Sequence, residues 1–431
     1  MNSVVLPGRW RDLLAVYGQR RVLAIFFLGF SSGLPLALTF GTLSLWLAEV
    51  GVSKTTIGLF ALAGTPYTLK FLWSPLVDRL GLGGLTRRFG RRRGWALATQ
   101  GGLMAAILAL GASDPAADPH ATAWLALLVA FLSASQDIVI DAYRVELLEE
   151  RQQGAGAAMV VLGYRVGMLA SGAGALYLAT WWGWWPAYAG MAALMGVGML
   201  AVLLNPEPPG PLPRPPEQDG APWPVRGRHW LADAVVAPFA DFMGRPGWLH
   251  ILLFILLYKF GDALAGVMSG PFFLELQFTK VQIANLTKVF GLAATLVGTL
   301  AGGVLVHRLG ILRSLLICGL LQMGSNLVFL WLARMGNDPV ALGVAIAVEN
   351  LSGGLGTAAF VAYLSSLCRV AFTATQYALL SSFMAFGRTV LSSQAGWLAE
   401  TLSWSWFFLI TTLAAVPGLI LLKVLEKKGF H

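Results

Sequence analysis

Runs of about 20 mostly apolar residues recur along almost the whole chain, and one such run is what a helix needs to cross the hydrocarbon of a bilayer. No water is available there, so every backbone N–H and C=O must find a partner within the structure. Helices and closed barrels are the two solutions. The runs are about twice the ~10 residues of a barrel strand. An all-α integral membrane protein is therefore expected. Twelve spans are read, at 22–48, 57–77, 95–112, 122–143, 156–180, 186–204, 249–274, 283–306, 313–333, 339–367, 376–399 and 404–423. Only 12% of the 431 residues are charged, against about 25% in a soluble domain. Pro35, Pro66, Pro75, Pro271 and Pro417 fall inside spans, where neighbouring helices satisfy the backbone groups that a kink sets free.

The net charge of +9 is no nucleic-acid footprint, because of where the charges sit. With the N-terminus inside, 22 of the 30 Lys and Arg flank the spans on the cytoplasmic side, three (Lys54, Lys280, Arg334) lie on the other side, and five lie within spans. That bias predicts cytoplasmic termini and an even number of spans. No small-residue cleavage site follows a short apolar core, so the first run reads as an uncleaved helix. Cys318 and Cys368 lie in or near spans and suggest neither a disulfide nor a metal site. Gly29-Phe30-Ser31-Ser32-Gly33 has the spacing of a nucleophile elbow, but that device needs a strand before the serine, and this one sits in a membrane helix. No phosphate-binding Gly-rich loop with Lys is present, which excludes an ATP-driven pump. An enzyme is not expected.

Residues 205–226, NPEPPGPLPRPPEQDGAPWPVR, form a Pro-rich linker that prevents helix and divides the chain. The expected units are 1–204, 205–248 (the linker) and 249–431. Residues 229–243 read either as a helix lying at the membrane surface or as an irregular loop broken by Pro238. The junction Pro75-Leu76-Val77-Asp78-Arg79-Leu80-Gly81 after the second span is echoed by Gly303-Val304-Leu305-Val306-His307-Arg308-Leu309-Gly310 after the eighth. Two six-helix halves related by duplication resemble the major facilitator plan, with a site between the halves near the midplane. Asp78 and Arg79, with Arg91 to Arg93, are candidates for a cytoplasmic gate, Asp78 meeting a helix N-terminus in one state and releasing it in the other.

Nine ionisable residues fall within spans: Lys70, Asp137, Asp141, Arg165, Lys259, Asp262, Lys288, Glu349 and Arg388. Each would cost roughly 3 kcal/mol facing lipid, so they are expected to face the bundle interior, as helix-tying ion pairs or as a solute pathway. Asp137 and Asp141 are one helical turn apart and share a face. Two adjacent carboxylates are suited to binding and releasing a proton, which makes Asp137 the first candidate for proton coupling, followed by Glu349, Asp262 and Asp141. Arg144 is placed to neutralise Asp141. Lys259 and Asp262 have the spacing of an internal pair, and Glu349 and Arg388 could bridge two helices. The glycines around Tyr164 and Arg165 either let helices approach closely or leave room for a bulky solute.

The segments FSSGLPLALTFGTL (30–43), TIGLFALAGTPYTLKFLWSPLVDR (56–79), SASQDIVIDAYR (133–144), GAGAAMVVLGYRVGMLASG (154–172), LYKFGDALAGVMSGPF (257–272), GGLGTAAFVAYLSSLC (353–368), ATQYALLSSFMAFGR (374–388) and AAVPGLILL (414–422) resemble the anhydromuropeptide permease (AmpG) family. Acetyl-CoA carriers and some siderophore permeases are its relatives. The resemblance implies a monomer in the bacterial inner membrane. It implies import of disaccharide-peptide wall fragments from periplasm to cytoplasm, driven by the proton gradient and needing no cofactor. Such fragments also signal β-lactamase induction in some bacteria. For a substrate carrying carboxylates, the cations Lys70, Arg165, Lys259, Lys288 and Arg388 are the expected binding groups. Tyr67 and Tyr164 would stack on sugar rings, and Gln136 and Asn350 would hydrogen-bond hydroxyls. Another anionic or amphipathic solute, such as an acyl-CoA or a siderophore, is the alternative.

Overall fold

The computed structural model describes residues 15–52, 60–209, 236–279, 282–283, 285–392 and 394–429, and every regular element among them is helical. The first half runs α1 (Arg20–Glu49), α2 (Thr65–Leu69), α3 (Ser74–Arg79), α4 (Gly84–Phe89), α5 (Arg91–Gly111), α6 (Pro119–Leu147), α7 (Glu150–Trp182) and α8 (Trp184–Leu204). After the linker come α9 (Ala237–Met243), α10 (Trp248–Glu275), α11 (Asn285–Leu309), α12 (Ile311–Met335), α13 (Pro339–Ser366), α14 (Thr373–Ser392), α15 (Ala395–Thr401) and α16 (Trp404–Lys428). Ten of these helices are long and apolar enough to cross a membrane.

The expected spans at 57–77 and 376–399 are not among the ten; residues 57–59 and 393 lie outside the described residues, and the described parts have local features of their own. Residues 60–79 form a string of short pieces: a 3-10 turn at Phe60–Gly64, α2, a second 3-10 turn at Lys70–Leu72, and α3. Pro66 and Pro75 each fall in the first turn of an α piece, where a missing N–H costs nothing and a new helix begins. In α14, Thr373, Thr375, Gln376, Ser381, Ser382 and Arg388 dilute the apolar run. The two segments pack on each other, α14 lying against α2, the Lys70–Leu72 turn and α3. The least apolar pieces of the bundle thus shield one another from lipid at the seam between the halves.

Glycine decides which helices approach most closely. A Cβ on Gly29 or Gly33 of α1 would strike the carbonyls of Val160 or Tyr164 on α7. One on Gly163 or Gly167 of α7 would strike those of Phe26 or Phe30 on α1. Close packing, rather than room for a solute, is what these glycines supply, and it also explains the spacing of Gly29 and Gly33. Across the seam α7 meets α11, Gly154 lying against Gly303 and Val306. Trp124, Trp181, Trp182, Trp185, Trp397 and Trp406 are exposed near the loops that lack basic residues, as an interfacial aromatic belt requires.

Of the expected linker 205–248, residues 210–235 lie outside the described residues. Both of its flanks are docked. The Glu207 carboxylate accepts from the backbone N–H groups of Arg92 (2.7 Å) and Arg93 (2.9 Å), supplying negative charge at the start of α5. The described part of 229–243 is α9, which packs on α10 and α14. Its Asp241 pairs with Arg369 (2.5 Å) and Arg245 (3.2 Å) and accepts from Gln376 (2.9 Å).

Candidate functional site

Three groups of charged side chains lie along the seam. The first is built by the broken segment and α6. Trp73 Nε1 donates to Ser135 Oγ at 3.0 Å, fixing the segment on α6. This brings Lys70, nearly buried, to 3.9 Å from Asp141 Oδ2. Arg144 approaches Asp141 Oδ1 from the other side at 3.8 Å. One turn deeper, Asp137 Oδ1 accepts a short hydrogen bond from Ser32 Oγ of α1. Tyr67 and Tyr164 lie within electrostatic range of Asp137, and the buried Tyr67 hydroxyl has no hydrogen-bond partner among the described residues. Gln136, on the same helix, is fully buried, and its amide likewise has no partner among them.

The second group straddles the halves. Helix α10 is interrupted at Tyr258 and Lys259. The break turns Lys259 toward α13, where Nζ donates to Thr357 Oγ1 at 2.9 Å. That hydroxyl donates in turn to the Gly353 carbonyl (2.7 Å), so only its lone pair faces the lysine. Asp262 follows in the first turn of the new helix, where the helix dipole favours a carboxylate. Lys259 lies within electrostatic range of Asp262, Arg388 and, from the first half, Arg165. Glu349 is within range of Asp262, Lys259 and Arg165. Arg165 and Arg388 are exposed at mid-span and lie within electrostatic range of these buried groups.

Two expected pairings are absent. Among the described residues no ion pair within 4 Å joins Lys259 to Asp262 or Glu349 to Arg388. Glu349 Oε2 instead accepts from Asn350 Nδ2 at 2.7 Å. Asn350 is itself occupied, donating to the Ile346 carbonyl and accepting from Thr295 of α11 at 2.8 Å. It ties α11 to α13 and has little left for a solute. The Lys288 side chain lies outside the described residues. Tyr258 stacks on Phe360 and donates to the Leu315 carbonyl, a core contact.

The third group closes the end that carries the basic loops. Arg92 is 1% exposed; its Nη2 donates to Asp78 Oδ1 (2.7 Å) and Glu146 Oε1 (2.5 Å), and its Nε to Glu146 Oε2 (2.9 Å). Asp78 in turn accepts from the first turn of α14: the Ala374 and Thr375 amides and the Thr375 hydroxyl. Arg91 donates to the Asp78 carbonyl, and Arg79 stacks on Phe372. The expected gate set of Asp78, Arg79 and Arg91 to Arg93 is brought together here and Arg144 lies beside Asp141 as its spacing suggests, while Glu146, Ser32, Thr357 and Thr375 are not singled out by the sequence analysis. The signal available for Glu146 is that it shares one helix with Asp137 and Asp141.

A family model described as acetyl-coenzyme A transporter 1 matches residues 22–180. The chain is 46% identical over 413 residues to the anhydromuropeptide permease of Escherichia coli (strain K12), covering 95% of this chain and 81% of that protein. It is 35% identical over 422 residues to the AmpG 4 transporter of Rickettsia felis, covering 96% and 98%. Among solved structures it is similar to the human organic anion transporter MFSD10 (TM-score 0.61, 16% identity, 96% and 100% covered). It is also similar to the proton:xylose symporter XylE (TM-score 0.64, 11% identity, 95% and 94% covered). At those identities the two structures show the fold alone, and it is the major facilitator fold. Sharing nearly half its residues with a permease along almost its whole length, the chain belongs to the anhydromuropeptide permease family, whose members are multi-pass membrane transporters and not enzymes.

Proposed function

We propose that the protein imports anhydromuropeptides (GlcNAc-anhydroMurNAc-peptides) from periplasm to cytoplasm by alternating access, in symport with protons. The cofactor-free driving force is the proton gradient. The single observation that carries this beyond the family name is the cluster of Arg165, Lys259, Asp262, Glu349 and Arg388, drawn from both halves and not collapsed into ion pairs. Charges held this way inside a membrane protein mark a solute or ion path. Arg165 and Arg388 offer planar forks for substrate carboxylates, with Lys259 beside them. Asp137 carries the proton: a carboxylate held by a neutral hydroxyl, with Lys70 near enough to stabilise its charged form, has a partner in either state. The basic loops lie in the cytoplasm, so the closed Asp78 end faces inward. The molecule acts as a monomer in the inner membrane.

Uptake of labelled GlcNAc-anhydroMurNAc-tripeptide into proteoliposomes, with and without an inward proton gradient, tests this. Accumulation that depends on the gradient supports it; a folded protein that accumulates none excludes it. The acetyl-coenzyme A transporter match over 22–180 favours a second reading, an acyl-CoA solute. Excess acetyl-CoA that abolishes muropeptide uptake, and is itself taken up, would favour that reading.

A further inference from the structure

Arg144 is the side chain the transport reading leaves unexplained. It is fully buried, its guanidinium meets no hydrogen-bond partner among the described residues apart from the Tyr377 side chain, and its one ion pair there, to Asp141, is 3.8 Å long. Its charge instead rests on the face of Tyr377, on α14 of the other half, 5.4 Å from the ring centre. Lys70 competes for the same carboxylate at 3.9 Å and also acts on Asp137. A buried cation with so few partners depends on the one carboxylate beside it for its place on the ring.

We propose that Asp141 and Arg144 form a lock across the seam: Asp141 holds Arg144 against Tyr377, and loss of the Asp141 charge frees Arg144 and opens the basic end. The proposal rests on the alternating-access reading, which it deepens by giving the charge state of the Lys70 cluster a route to the gate. The groups facing Arg144 and Asp141 are Lys70 from the broken segment, Asp137 on their own helix, and Tyr377 and Cys368 from the other half, with Asp78 in range of Cys368. The lock is separate from the Asp78–Arg92–Glu146 cluster, which holds the start of α14 by hydrogen bonds. Helix α6 carries parts of both.

Cys368 reports on this lock. It is half-buried beside Arg144, with its thiol donating to the Leu364 carbonyl, whereas Cys318 is fully buried inside the second half. The full chain in nanodiscs would be treated with N-ethylmaleimide, and labelling of each cysteine followed by peptide mass spectrometry. Asp141→Asn and Arg144→Gln are each expected to label Cys368 about tenfold faster than wild type, because local opening governs access. The double variant should be no faster than either single one, and Cys318 should stay protected throughout. Wild-type rates at Cys368 in Arg144→Gln overturn the lock, as do rates that multiply in the double variant. If a variant also exposes Cys318 it has unfolded, and Tyr377→Leu, which removes the ring but no charge, then decides: an unchanged Cys368 rate overturns the lock. The readout needs no substrate, so failure of muropeptide uptake would leave the lock standing, and failure of the lock would leave uptake standing.

Discussion

Asp78 and Thr375, from opposite halves of the chain, are joined twice: Asp78 Oδ2 accepts from the Thr375 amide at 2.8 Å and from its hydroxyl at 2.7 Å. The other Asp78 oxygen accepts from Arg92 at 2.7 Å. One carboxylate thus accepts from the first turn of α14 and shares with Glu146 the charge of a buried guanidinium. Parting the two halves at this end must break the Asp78 contacts to the Ala374 and Thr375 amides and the Thr375 hydroxyl together.

Asp78→Asn keeps the shape and removes the charge. Arg92 is then left with the Glu146 carboxylate and the Val77 carbonyl in a buried site, and breaking a buried pair from one side costs about 3–5 kcal/mol. The midpoint of thermal unfolding should fall. Ala374 and Thr375 amide exchange should quicken, and unchanged exchange there would show that the contact does not hold α14.

Asp137→Asn should abolish accumulation against a gradient while leaving downhill exchange of substrate measurable. Asparagine can still accept from Ser32, so folding should be retained. Gradient-driven uptake at wild-type rate would move the proton to Glu349.

Arg165→Gln and Arg388→Gln should each weaken binding of a carboxylate-bearing muropeptide by about 10- to 100-fold, the worth of a hydrogen bond to a charged group at roughly 1.5–3 kcal/mol. Stability should change little, since neither side chain has an ion pair within 4 Å among the described residues. Isothermal titration of purified protein measures this. Equal affinity in both variants would remove them from the binding site.

Gly163→Val should be strongly destabilising, because the new Cβ meets the Phe26 carbonyl, which is backbone and cannot turn aside. Overpacking of this kind costs about 1–3 kcal/mol or more. Gly196→Ala on α8 is the contrast: nothing lies within 4 Å of its Cβ position, and alanine should stabilise the helix by up to about 1 kcal/mol. Thermal melts of the two variants should move in opposite directions.

Asp241→Ala removes the shared acceptor of Arg245, Arg369 and Gln376. Faster amide exchange is expected across α9 and the first turns of α14. Exchange confined to α9 would show that this helix hangs on the bundle without bracing it.

Much of the architecture was legible because hydropathy is additive along the chain. A helix in hydrocarbon must be about 20 apolar residues long whatever it packs against, so ten helices can be read from composition. The two expected spans that are not among the ten, 57–77 and 376–399, carry Lys70, Gln376 and Arg388, which look like isolated exceptions in one dimension. They are tolerated because each segment covers the other.

The candidate site was legible as a set of residue types and not as a set of pairs. Asp137, Asp141, Arg165, Lys259, Asp262, Glu349 and Arg388 stand out in sequence because charge is costly in a span. That cost says a partner or a cavity exists, and nothing about which. Lys259 bonds Thr357 and not Asp262, and Glu349 bonds Asn350 and not Arg388. Arg92 and Arg144, which the sequence places at the cytoplasmic end of their spans, are among the most buried of the described side chains.

The sequence by itself determined the membrane class, the spans, the asymmetric placement of basic loops and the family, since each depends on residue types in order along the chain. Tertiary structure alone decided that Asp78 meets Thr375, that Arg144 lies on Tyr377 and that Arg165 faces Lys259. Those contacts join positions far apart in the chain, and no local sum of hydropathy or charge carries the distance between them; only the packing of α7 on α11 and of α14 on α3 and α6 sets it.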